Sequence, residues 1–183
     1  MYMRNRVIRW SQAHQLVHIF KDEKKVVVEK LNQLENAIYN LQYEGKLFSS
    51  SHIKKAEEAM RFLKEKFTVH IDLDNRVIFP FLEKHIPRLN SVLLYLKSER
   101  REFQEGFKIF EEILAKLKKE NDNMIRHGII ERLKDKGIYL ICLMRNHIQL
   151  EEQSVYKSLE LELHKDERNI LIEKIVNFSK RRN

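Results

Sequence analysis

Two short segments of this chain place an imidazole and a carboxylate four residues apart in matching surroundings. HIDLDNRVIFPFLE begins at His70 and carries Asp74, and HIQLEEQSVYKSLE begins at His147 and carries Glu151. In an α-helix, residues four apart differ by about 40° around the axis and one turn along it, so each pair projects from one face. Such a pair can clamp a metal ion from two points. One pair alone is more often a surface ion pair. Here the surroundings repeat as well: His, Ile, the Leu in fourth place, an acid in fifth and a terminal Leu-Glu recur, with Ile78 matching Val155 and Phe79 matching Tyr156. Repetition in context points to two halves of one metal-binding centre.

The elements that must position these pairs are helical. The 183 residues include only four glycines and two prolines, which leaves little turn chemistry for a sheet. Val17, Phe20, Val27, Leu31, Leu34, Ile38 and Leu41 make one apolar stripe over residues 7–41, which predicts a first helix ending near Gly45. Serines at 49–51 offer N-caps for a second helix from about His52, which Pro80 should kink or restart before the turn at Pro87. Leu93, Leu96, Phe103, Phe107, Phe110, Leu114 and Leu117 define a third helix over 89–120, closed by Asn-Asp-Asn. A fourth runs over 124–161, with Gly128 and Gly137 as possible bends, and a shorter one over 165–180 buries Leu171, Ile175 and Phe178. The expectation is an all-α, up-down four-helix bundle with a short C-terminal helix, a single domain over 1–183. Helices two and four then lie diagonally across it, so both pairs face a common centre.

Composition narrows the function classes. Cys142 is the one cysteine, with no partner for a disulfide within the chain, and its place in IYLICLM reads as a buried, inert thiol in a reducing compartment. No apolar run reaches the roughly eighteen residues of a membrane span, so the expectation is a soluble, cytoplasmic protein with no membrane partner. The formal charge is +8, but the lysines and arginines are mixed with acids in segments such as KDEKK, KLKKE and KDERN. These read as solvated helix faces, and no basic stripe interleaved with aromatics argues for nucleic acid.

With those residues placed, FTVHIDLDNRVIFPFLE together with LMRNHIQLEEQSVY resembles the hemerythrin-like (HHE) cation-binding family, over most of the chain as far as about His164. The resemblance implies a non-haem iron centre, commonly two ions bridged by carboxylates and capped by histidines. Its roles would be binding of dioxygen or nitric oxide, redox sensing, iron handling or repair. Asp74 and Glu151 would be the bridging acids, with Asp74 in place of the glutamate usual there, and His70 and His147 the terminal ligands. The family also takes a histidine from its first helix. His14 and His18 are the candidates, and His14 lies nearer the apolar stripe.

In the third helix Arg100 stands where the resemblance would put a histidine. A guanidinium stays protonated and has no lone pair for a metal. Either Glu99 or another group substitutes, or one ion binds, or the guanidinium takes the second position and neutralises the acids. The favoured expectation is an asymmetric site: one ion held by His14, His70, Asp74 and Glu151, and a weaker position near His147. His85 reads as a loop histidine, His52, His127 and His164 as surface ones, and Glu152 either supports the site or faces solvent.

Nitrogen and oxygen donors without thiolate accept iron, manganese or zinc, one or two ions per chain, and iron rests on the resemblance. No nucleophile with its base stands out, so a binding or sensing protein is expected before an enzyme. The alternative is a metal-free helical interaction or regulatory module with Arg100 paired to a buried acid. Nothing in the sequence identifies a protein partner.

Overall fold

The structure, a computed structural model, describes residues 24–43 and 45–181, with side chains described outside 44–48. The expectations for His14, His18 and the first helix before residue 24 fall outside the described residues. Helix α1 spans 24–43, α2 Gly45–Leu73, α3 Phe79–His85, α4 Asn90–Lys119, α5 Asn123–Leu150, α6 Lys157–Leu161 and α7 Lys165–Lys180. Two π turns, Asp74–Ile78 and Glu151–Tyr156, and a 3-10 turn, Pro87–Leu89, join some of them. There is no strand among the described residues, and no helix long and apolar enough to cross a membrane.

Several boundaries follow from local chemistry. Asp122 accepts hydrogen bonds from the backbone N–H of Met124 (2.8 Å) and Ile125 (3.0 Å), the N-cap expected of Asn-Asp-Asn. Ile86, held extended before Pro87, breaks the helix there. Pro80 lies in the first turn of α3, where the α-helix restarts after the π turn. In a straight α-helix its ring would meet the carbonyl of Arg76, and the π turn Asp74–Ile78 widens the helix at that residue.

Gly45 opens α2 instead of closing the helix before it, and the serines lie inside α2. Ser49 is buried, and its hydroxyl accepts from Arg126 Nη2 at 3.2 Å, so a tertiary partner replaces the capping role. Cys142 is exposed, contrary to the reading of its apolar neighbours. Leu140, Ile141 and Met144 take the buried arc of α5, and at about 100° per residue Cys142 falls roughly 200° from Leu140, on the opposite face.

The chain divides into two compact units. One comprises Val26–Thr68 and Ser98–His147. Its core is built by α1, α2, α4 and α5 from Leu34, Ile38, Met60, Leu63, Phe103, Phe110 and Leu140, all essentially inaccessible. Phe67 packs edge-on to Phe103, with ring centroids 4.2 Å apart. Gly137 admits a close approach: a Cβ there would lie 2.5 Å from Ile38 Cδ1 and 2.9 Å from Phe110 Cε2. Helix α5 continues through both it and Gly128 without a break along 123–150.

The other unit comprises Val69–Lys97 and the chain from Ile148 onward, with residues 24–25. Ile78, Phe79, Leu82, Leu89, Leu93, Leu96, Val155, Leu159 and Leu171 form its core, with Ile175 packed on the edge. Polar contacts fasten α7. Glu167 accepts from the His164 backbone N–H at 2.8 Å and from His85 Nδ1 at 2.8 Å, and Arg88 pairs with Glu162 just before α7. His85 therefore ends α3 as an anchored residue, stacked on Phe81 at 4.2 Å, and not as a loop histidine.

Two predictions arise from this packing. Gly137→Val should cost about 1–3 kcal/mol by overpacking, whereas Gly128→Ala, with open space around it, should gain about 1 kcal/mol of helix propensity; urea unfolding measures both. The second concerns acid. The His164 N–H and then His85 hold the Glu167 carboxyl below its ordinary range, as Arg88 and then Ser158 do for Glu162. A depressed carboxylate stabilises fully above its unfolded pKa, about 4.3, and loses that contribution as pH falls through the folded value. Amide exchange over 165–180 should therefore accelerate selectively below about pH 4, and Glu167→Gln should show the same acceleration at neutral pH.

Candidate metal centre

His70 lies in the last turn of α2 and Asp74 begins the π turn that follows. Glu151 begins the second π turn, after α5. The duplication seen in the sequence therefore extends to the backbone: each motif's carboxylate opens a π turn, and in each turn the acid and the residue four further on are buried, Asp74 with Ile78 and Glu151 with Val155. Pro80 contributes to the first widening, but Lys157 occupies the matching place in the second. The π turn therefore accompanies the carboxylate, not the proline.

Within one unit the structure brings His70, Asp74 and Glu151 together. His70 Nε2 lies 3.1 and 3.0 Å from the two carboxylate oxygens of Glu151 and 3.4 Å from Asp74 Oδ2. Asp74 is 2 % exposed and Glu151 3 %. Two carboxylates so deeply withdrawn from water are costly unless positive charge faces them. Carboxylate oxygens from two residues near one imidazole nitrogen make a hard N/O donor set that suits a divalent cation: two carboxylates would balance its charge and the imidazole would add a neutral donor. His70 and Glu151 belong to a His/Glu cluster able to hold a metal ion.

His147 is placed in the other unit, in the last turn of α5. It is 2 % exposed, and its Nδ1 lies 2.7 Å from Glu99 Oε2. The rings of Phe67 and Phe103 stand edge-on to the imidazole, with centroids 5.5 and 5.2 Å away. Glu99, itself 4 % exposed, was expected only as a possible substitute for the missing imidazole, and its contact with His147 was not anticipated. One signal was present: Glu99 continues the stripe of Leu96 and Phe103 at helical spacing, a carboxylate on an otherwise apolar face. Arg100 beside it is half-buried.

The remaining candidates separate cleanly. His127 and His164 are exposed, as expected of surface histidines, but His52 is buried at 6 % because it continues the inward face of Ala56, Ala59 and Met60. Glu152 is exposed and paired with Lys24.

A family model described as the hemerythrin HHE cation-binding domain matches residues 15–159. That stretch takes in His18, His70, Asp74, Glu99, Arg100, His147 and Glu151, and begins one residue after His14. No curated protein matches the chain.

The buried His147–Glu99 pair yields a prediction for metal-free protein. His147→Leu strands a buried carboxylate and should cost about 3–5 kcal/mol, while adding Glu99→Leu should restore most of the loss. A double-mutant cycle in urea with chelator present measures it.

Proposed function

Because the chain belongs to the hemerythrin HHE cation-binding domain family, we propose that it is a non-haem metal-binding protein. Its chief ion, iron before manganese or zinc, is held by His70, Asp74 and Glu151 with His14. The observation that carries this reading is the convergence of two buried carboxylates on His70 Nε2. His147 offers a second, weaker position, since Arg100 stands where another imidazole would complete it. Helical bundles in general hold such sites by aiming ligands inward from facing helices.

When bound, iron supplies reversible coordination of small ligands such as dioxygen or nitric oxide and a one-electron change of state. The chain's own residues set the conditions for that chemistry. Asp74 and Glu151 neutralise a divalent charge without bulk water. His70 must give up any proton on Nε2 to become a ligand, so loading releases protons. The absence of an intrachain cysteine partner fits a reducing cytoplasm.

Elemental analysis of protein purified without chelator tests the proposal. About one tightly held ion per chain is expected, falling to background in His70→Ala and Glu151→Gln, and in His14→Ala but not His18→Ala. Loading should also raise stability, by about 2.7 kcal/mol at a hundredfold excess over Kd. Wild-type protein that takes up no metal after anaerobic reconstitution would sink the reading and leave a metal-free interaction module. Two equally tight ions would remove the asymmetry.

A further inference from the structure

We infer that Glu99 is a positioning residue for His147, holding it as the Nδ1–H tautomer so that the Nε2 lone pair is the one offered to a metal. This rests on the metal-centre reading above and adds to it the reason that His147 can serve as a ligand. A carboxylate facing Nδ1 at 2.7 Å accepts that proton's hydrogen bond. Burial of both groups, at 2 % and 4 % exposure, keeps water from competing for either. Phe67 and Phe103, edge-on to the imidazole, oppose the ring flip that would exchange its two nitrogens. Tautomer and ring orientation are thus fixed before any ion arrives.

The same geometry answers what Glu99 does beside the unexpected Arg100. A carboxylate bonded to Nδ1 stands behind the ring and does not share an ion with Nε2 on its other side. Glu99 therefore does not replace the missing histidine as a ligand. It strengthens the imidazole that remains, through an oxygen on a different helix 48 residues away in the chain.

Long-range nitrogen-15 correlation spectra of metal-free wild-type protein test the assignment directly. The expected result is a protonated Nδ1 and a bare Nε2 on His147. A proton on Nε2, or on both nitrogens, overturns it, and this readout does not depend on whether metal binds. The second arm titrates cobalt(II) anaerobically into wild type and Glu99→Gln, with folding verified by circular dichroism. The His147-dependent affinity should weaken about 10–100-fold in Glu99→Gln while the tighter site is unchanged. Equal weakening at both sites, or none at His147, overturns the positioning role. A wild-type protein that binds no cobalt defeats the metal reading instead, and the tautomer measurement then decides Glu99 alone.

Discussion

Carboxylates withdrawn from water must find compensating positive charge, and Asp74 and Glu151 are withdrawn almost completely. Much of the site's local architecture answers that demand. The last turn of α2 delivers His70, the two π turns deliver the acids, and the apolar side chains that follow, Ile78 and Phe79 in one copy and Val155 in the other, seal them from solvent. A divalent cation, were His70, Asp74 and Glu151 to hold one, would meet that demand.

The π turns make that arrangement possible. A carboxylate at the start of a widened turn is followed by side chains displaced from ordinary α-helical register, so the acid and the apolar residue four places on are both buried. That both copies contain the feature, one with a proline and one without, ties it to the acids. Unpaired wide turns weaken helices, and the surrounding core of Leu82, Leu93, Leu159 and Leu171 supplies the packing that tolerates two of them.

The other unit works by different means. Its helices approach closely at Gly137, and its aromatic cluster of Phe67, Phe103 and Phe107 surrounds one polar pair, His147 with Glu99. A buried polar pair of this kind contributes less to stability than to uniqueness, since it penalises any register that separates its members. Here that specificity coincides with a residue proposed to bind metal.

Much of the design is local and so is present in the linear chain. The stripe from Leu93 to Leu117, the N-cap at Asp122, the helix over 165–180 and the approach of His70 to Asp74 all follow from spacing over a few turns of chain. What spacing cannot encode is the face that a distant helix presents. Whether Cys142 or His52 is buried, whether Ser49 caps a helix or receives Arg126, that His85 anchors α7 through Glu167, and that Glu99 stands behind His147 were all decided by tertiary packing. The physical reason is the same in each case. Periodicity specifies where a side chain points on its own helix, but its energy there depends on which groups, many residues away, meet it.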